Sequence, residues 1–369
     1  MNSQKTPRLR YNREVKAFKS HLSALPRYPY QHADAKVKLD QNESPYELPA
    51  ELKARALEKL AGLPWNRYPE LHAEKLREAL AEHLGWDKDA LVAAPGSNLL
   101  IQSLVYAANQ VLDTSPSFPY YAVSARLANA PYRAFPLRRT REGFELPLED
   151  LLAAMDSPPG VLFLPSPHAP TGMLVPGALI HALAQKALET GWLLVLDEAY
   201  HQFSGTDYRP LAASNPQVAL LRTFSKAFGL GGIRAGYLLA PSKETANVIQ
   251  NMVPPFVLPA HTAAILETVL EAPAYAERYA SEIQKERERV YAKLREHPSW
   301  RVFPSSSNFL LIKTPDAEAA YLSLLKAGVL VRRQDQYPLL EGCIRASIGS
   351  TQDNNLFLDA AFNLEASHA

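Results

Sequence analysis

The sequence predicts an α/β fold: a large domain built on a doubly wound, mostly parallel sheet, followed by a smaller α+β domain. Three observations carry that expectation. Short apolar runs at 161–164, 192–196 and 218–221 alternate with segments of helical period, which is how strands buried on both faces of a parallel sheet read. Each run ends in polar residues: a proline-rich loop after Leu164, Asp197-Glu-Ala-Tyr200, and a segment around Lys226. In open sheets of this kind ligands sit beyond the carboxyl ends of the strands. Third, Pro254-Pro255 marks a change of pattern, after which strands and helices become short and mixed. The expected division is an N-terminal arm over 1–36, a large domain over 37–256 and a small domain over 257–369, which suits a chain of 369 residues.

The elements follow in order. The arm ends in Arg27-Tyr-Pro-Tyr-Gln31 and leads to a polar turn, Leu39-Asp-Gln-Asn-Glu-Ser-Pro45. Leu52, Ala56 and Leu60 give 49–60 a helical face. Asn66-Arg-Tyr-Pro69 breaks the chain. Ala73, Leu76, Leu80 and Leu84 define a second helix over 70–84, with Gly85 as its stop. A helix over 97–108 opens at Ala94-Pro-Gly-Ser-Asn98, where Ser97 or Asn98 is the expected N-cap. Glycine before capping residues also makes an anion site, because free backbone N–H groups and the helix dipole point there. Pro116-Ser-Phe-Pro-Tyr-Tyr121 begins the next helix, to 128, and 179–188 is helical. Beyond 256 come a long charged helix over 274–297, strands at 300–303 and 308–312, a helix over 317–327, strands at 329–332 and 344–348, and a last helix from Thr351.

Composition excludes several function classes. Hydrophobic residues make up 47% and charged residues 21%, with a net charge of +1 and no charged block, so neither nucleic acid nor an anionic membrane is an expected partner. Cys343 is the only cysteine, so no disulfide closes within the chain, as suits a reducing cytoplasm. Residues 1–20 lack the apolar core of a signal peptide, and no apolar run approaches the ~20 residues of a membrane span. No metal site is expected.

The chemistry concentrates at 222–236, Arg-Thr-Phe-Ser-Lys-Ala-Phe-Gly-Leu-Gly-Gly-Ile-Arg-Ala-Gly. Lys226 stands among small and apolar residues, where an amine loses its charge easily and becomes a nucleophile able to form a Schiff base. Thr223, Ser225 and Arg234 are donors suited to a phosphate. An amine for an aldehyde beside a phosphate cradle matches pyridoxal 5'-phosphate (PLP). On its own, the stretch fits a glycine-rich turn with an exposed lysine equally well. PLP chemistry also needs an acid opposite the pyridine nitrogen so that the ring acts as an electron sink. Asp197 fits, although an aspartate there also reads as a helix cap. Tyr200 is placed to reach the ring's phenolic oxygen, Phe118 to pack on the ring, and Gly96, Ser97 and Asn98 to form a second wall for the phosphate.

Taken together, Asn42-Glu-Ser-Pro45, Arg67-Tyr-Pro69, Pro170-Thr-Gly172, Asp197-Glu-Ala-Tyr200, Ser225-Lys226, Arg234 and Arg345 resemble the fold-type-I PLP-dependent aminotransferases over nearly the whole chain. Within them the pattern is most similar to the histidinol-phosphate aminotransferases, through Pro29-Tyr-Gln31, Pro116-Ser-Phe118, Gly328-Val-Leu-Val-Arg332 and 342–349. The resemblance implies a cytoplasmic homodimer that moves an amino group between histidinol phosphate and 2-oxoglutarate, with glutamate as the other amino compound, in a ping-pong reaction of histidine biosynthesis. It implies that Lys226 holds the cofactor and shuttles a proton, that Asp197 pairs with the pyridinium and Tyr200 with the phenolic oxygen, and that Tyr68 reaches the cofactor phosphate of a partner subunit. Tyr30 and Asn42 line the substrate pocket, and Arg332 and Arg345 meet the substrate phosphate. Two forked guanidinium groups suit a dianion better than a carboxylate, whereas Arg332-Arg333 on its own also reads as a solvated strand end. One departure stands out. The family loop usually reads Asn-Pro-Thr-Gly, and here Ala169 takes the place of the asparagine that bonds the phenolic oxygen. Losing such a bond costs about 1 kcal/mol, leaving Tyr200 alone, His168 or a water to serve. The alternatives are an aromatic amino-acid aminotransferase and a PLP-dependent lyase such as a threonine-phosphate decarboxylase. A non-catalytic sensor of this fold that binds DNA carries a basic helical domain, for which the arm before Leu39 is too short.

Overall fold

The computed structural model describes residues 17, 19–23 and 33–366, without the side chains of 23 and 364–366. The central sheet has seven strands: β1 Leu91–Ala94, β2 Val111–Ser115, β3 Tyr132–Pro136, β4 Val161–Pro165, β5 Leu193–Asp197, β6 Val218–Thr223 and β7 Gly236–Leu239. Their order across the sheet is β1-β7-β6-β5-β4-β2-β3. All neighbours are parallel except β7, which runs antiparallel to both β1 and β6. The chain winds outward through β2 and β3, then returns through β4, β5 and β6, so the winding reverses between β2 and β4. The crevice at such a reversal is where these sheets bind ligands.

The three expected strands are the central ones, β4 to β6, and essentially every residue in them is buried. The other four went unanticipated, β2, β3 and β7 for physical reasons. In β2 two apolar residues are followed by Asp113 and Thr114, both buried, which breaks the apolar signal. The edge strand β3 buries only Phe135, and β7 is the antiparallel return of the loop after β6. The helix expected over 70–84 begins only at Glu74, because Ala73 adopts a left-handed φ of 52°, and it ends at Gly85 with φ 64°.

Smaller strands form a second sheet, wholly antiparallel: β8 Arg301–Val302, β9 Phe309–Lys313, β10 Arg332–Arg333 and β11 Cys343–Ser347, ordered β8-β9-β11-β10. The single strand expected over 329–332 is split. Val329–Leu330 pairs in parallel with Val37–Lys38, and β10 pairs with β11. This ladder ties 37–42 into the small sheet, where Leu39 O also accepts from Ser347 N at 2.8 Å.

Two apolar clusters cover the faces of the central sheet, and a third fills the small unit. Helix Ala260–Leu270 lies beyond the boundary expected at 256, yet its Ile265, Leu266 and Val269 join the cluster of the central sheet. Helix Ala274–Leu294 begins in that cluster with Tyr275 and Ala276 and ends in the other with Ile283, Val290 and Leu294. We therefore propose that the domains divide within this helix, with 37–39 belonging to the smaller one. Among the described residues no helix is long and apolar enough to cross a membrane, and no cluster of His, Cys, Asp and Glu is arranged to hold a metal ion.

Candidate active site

The loop from β6 to β7 closes on itself and presents Lys226. Phe224 N donates to Ala235 O at 3.2 Å, Leu230 N to Phe224 O at 3.1 Å and Gly229 N to Lys226 O at 3.0 Å. Thr223 Oγ1 donates to Ala235 O and accepts from Ser225 N. Lys226 Nζ donates to the main-chain oxygen of Gln41 at 2.9 Å and lies 5.8 Å from the centre of the Tyr200 ring. Burial brings the Lys226 amine down to about 7, aided by the positive charges of Arg345 and Arg234 and opposed by Glu43 and Asp197. At neutral pH about half of such an amine is unprotonated and nucleophilic.

Lys226 opens onto a cavity of about 260 Å³ that also receives Asn42, Ser97, Asn98, Phe118, Asp197, Tyr200, Thr223, Ser225, Arg234, Arg332 and Arg345. They come from the carboxyl ends of β1, β2, β5 and β6, from the segment after Lys38 and from the small sheet. Asp197, at the end of β5, is 6% exposed. Its Oδ2 accepts from Tyr121 Oη at 2.6 Å and its Oδ1 from Ala199 N at 3.1 Å. Burial raises its pKa, and the Tyr121 bond, the Ala199 bond and the Lys226 charge oppose that rise. Tyr200 Oη accepts from Asn42 Nδ2 at 2.8 Å, and the amide oxygen of Asn42 accepts from Ser347 Oγ at 3.2 Å. Asn42, with a left-handed φ of 54°, thus joins Tyr200 to β11 as well as lining the cavity.

On the opposite wall the helix Ser97–Ala107 is capped by Gly96, not by Ser97 or Asn98, and among the described residues no side chain caps its first N–H groups. Those donors face the cavity rather than a cap. Gly96 has φ +80°, and a Cβ on it would lie 2.8 Å from Arg234 Nη2; a Cβ on Gly236 would lie 2.5 Å from Ser97 N. The two glycines let the Lys226 loop, Arg234 and the helix start close into one cradle. Gly96→Ala is expected to push Arg234 aside and to weaken PLP binding by the apo-chain about tenfold, the loss of one charge-assisted bond. Gly85→Ala, where φ is +64° and nothing lies within 4 Å, is the control. It should lower thermal stability and leave PLP affinity unchanged in a titration.

Arg332 and Arg345 stand directly opposite each other on β10 and β11. Arg345 Nη2 donates to Asp40 O at 2.8 Å, and its guanidinium lies 5.3 Å from the Phe309 ring centre. Strand alternation turns Arg333 the other way, into ion pairs with Asp335 and Glu318.

Some expectations met a different arrangement. His168 cannot stand in for the missing asparagine. It is fully buried, its Nε2 lies 3.0 Å from Thr114 Oγ1 and its Nδ1 2.9 Å from Thr171 Oγ1, and burial lowers its pKa to about 3. It joins β2 to the loop after β4, while Ala169 and Pro170 face the cavity. Tyr68 does not line the cavity of its own chain. It is 83% exposed and packs against Phe256, ring centres 5.1 Å apart. Tyr30 lies outside the described residues. Sequence reasoning missed Gln41, Ser117, Tyr121, Gln334 and Tyr337, which also line the cavity. Strand alternation carried a signal for Gln334, two residues after Arg332 and 3% exposed; Gln41 carried none.

The residues present fit PLP. An amine of lowered pKa, a buried carboxylate and an anion cradle that a single Cβ would fill sit on three walls of one cavity. A doubly wound sheet carrying these groups at its strand ends defines a PLP-dependent enzyme of fold type I. Residues 34–360 match the family model described as aminotransferase class I and II, and the chain belongs to that family. It is 43% identical over 344 residues to a histidinol-phosphate aminotransferase of Deinococcus radiodurans, covering 92% of this chain and 94% of that protein. It is 37% identical over 338 residues to one of Pyrococcus furiosus, covering 90% and 94%. Among solved structures, the fold is shared with a histidinol-phosphate aminotransferase from Sinorhizobium meliloti in complex with pyridoxal-5'-phosphate, at a TM-score of 0.81 and 24% identity over 96% of this chain and 99% of that one. L-threonine-O-3-phosphate decarboxylase from Porphyromonas gingivalis has the same fold, at a TM-score of 0.76 and 21% identity over 90% and 99%.

Proposed function

We propose that the chain is the histidinol-phosphate aminotransferase of histidine biosynthesis, moving an amino group between histidinol phosphate and 2-oxoglutarate in two half-reactions. The observation that carries the substrate is the cross-strand pair of Arg332 and Arg345, both on the cavity that holds Lys226 and Asp197. Two forked cations on one face suit a phosphate monoester, and Arg345 alone suits a carboxylate. When bound, PLP supplies the electron sink. Lys226 Nζ, with a pKa of about 7, holds and returns the proton that the substrate's Cα gives up and regains. Asp197 would present its charge to the ring nitrogen, Phe118 and Ala199 would border the ring, and Tyr200 would donate to the phenolic oxygen in place of the absent asparagine. Ser97, Asn98, Thr223, Ser225 and Arg234 bind the cofactor phosphate.

A panel scored by kcat/KM tests this reading, because discrimination lives in that ratio. Histidinol phosphate should lead the aromatic amino acids by about 100-fold or more, as two lost charge-assisted bonds would give. The same panel, assayed for carbon dioxide release from O-phosphothreonine, excludes a lyase if none is released. A lead for phenylalanine or tyrosine would sink the proposal.

A homodimer in the cytoplasm completes the reading. Trp65 and Tyr68 are 89% and 83% exposed, and Leu71, Met252 and Phe256 are also exposed. Apolar exposure of that extent supports burial against a second copy, with Tyr68 delivered to the partner's cofactor phosphate.

A further inference from the structure

We propose that Tyr121 is a positioning residue for Asp197, its hydroxyl holding the carboxylate ionised and turned toward the cavity. The inference rests on the reading of that cavity as a PLP site.

Tyr121 lies in the helix Pro119–Ala128 and has no exposed surface. Its ring is stacked on Phe163, with centres 4.6 Å apart and planes 10° from parallel, and meets the edge of Phe118 at 5.5 Å and 81°. Two aromatic contacts thus fix the ring plane and leave the hydroxyl one place to go, Asp197 Oδ2, at 2.6 Å. That length is typical of an O–H donor to a carboxylate, a bond roughly twice as strong as a neutral one. With Oδ1 taken by Ala199 N, the carboxylate has one protein donor on each oxygen and cannot rotate without breaking both.

The surroundings make the hydroxyl matter. Asp113, on β2 and 1% exposed, is pushed up to about 7 by burial; bonds from Tyr132 Oη and Thr114 N oppose this, and the charge of Asp197 adds to it. Two buried carboxyls in one neighbourhood compete to stay ionised. The groups that set Asp197 apart are Tyr121 and the Ala199 N–H, with Lys226 as the facing cation. Tyr121 is itself a permanent donor: burial, followed by the charges of Asp197, Asp113 and Tyr200, holds its phenol well above the ordinary range. It can lend a proton to the bond and does not surrender it.

Tyr121→Phe removes the hydroxyl and little else. PLP affinity of the apo-chain, measured by absorbance titration from pH 5 to 9, is the readout. Without the bond, Asp197 protonates at higher pH, so, beyond the Lys226 titration that variant and wild type share, the acid-side loss of PLP affinity should move up by about one pH unit, with binding about tenfold weaker at pH 6. The same substitution in an Asp197→Asn background should change affinity little, because the hydroxyl acts through the carboxylate. A residue that only filled space would lower thermal stability, leave the acid limb in place and act equally in both backgrounds; that pattern overturns the proposal. Should Tyr121→Phe fail to fold, Phe163→Leu keeps the hydroxyl and frees its ring: an upward shift of the limb supports the proposal and an unmoved limb overturns it. Failure of the wild-type chain to bind PLP overturns the cofactor reading and this inference with it, whereas parity of variant and wild type overturns this inference alone.

Discussion

Lys226→Ala is expected to lower the rate of amino transfer about 10,000-fold or more, because one amine both holds the cofactor and moves the proton. Among the described residues no other lysine lines the cavity, and the Gln41 main-chain oxygen that accepts from Nζ at 2.9 Å cannot replace it. A residual rate within tenfold of wild type would sink the assignment. The pH dependence has a definite sign. Burial disfavours the ammonium form, and the Arg345 and Arg234 charges add to that, giving a pKa of about 7. The nucleophile is the neutral amine, so PLP uptake by the apo-chain should rise about tenfold per pH unit below 7 and level off above it. A lysine of ordinary pKa, about 10.4, would keep gaining to far higher pH. Arg345→Met removes the largest of the facing charges and should move this midpoint upward.

The sequence made Lys226 and Asp197 legible because each follows an uninterrupted apolar strand, and β5 and β6 lie at the centre of the sheet, where both faces are covered. The same reasoning hid β2. Its Asp113 and Thr114 are buried against separate polar partners, Tyr132 Oη for the first and His168 for the second, so that strand does not read as apolar. Tyr121 was hidden by its neighbourhood: in Phe118-Pro-Tyr-Tyr121 nothing local says which aromatic faces solvent, and only the helix that begins at Pro119 turns Tyr121 inward. The helix cap was misassigned because Ser and Asn are the usual N-caps. The close approach of Arg234, distant in sequence and unseen in a local window, makes glycine the residue required at 96. Pro254-Pro255 is a real break between helices. Yet helix Ala260–Leu270 returns to the central sheet's core, a long-range choice that a local break does not encode.

Arg332→Leu should separate the two half-reactions. Arg332 and Arg345 are opposite one another on an antiparallel pair, an arrangement in which like charges repel. A phosphate dianion held between them relieves that repulsion and takes forked bonds from both; a carboxylate has one charge and two oxygens, which one guanidinium satisfies. The loss of one such group costs about 1.5–3 kcal/mol, or roughly 10- to 100-fold. The half-reaction with histidinol phosphate should fall by that factor in kcat/KM, chiefly through KM, while the half-reaction with 2-oxoglutarate, resting on Arg345, changes little. Single-turnover measurements of each half-reaction decide between the outcomes. An equal loss in both would mean that Arg332 shapes the cavity rather than reading the phosphate, and no loss with histidinol phosphate would return the substrate to an aromatic amino acid. Arg332→Lys separates charge from geometry. It keeps the charge and loses the fork, so it should recover only part of the phosphate half-reaction; full recovery would show that charge alone, and not bidentate geometry, selects the substrate.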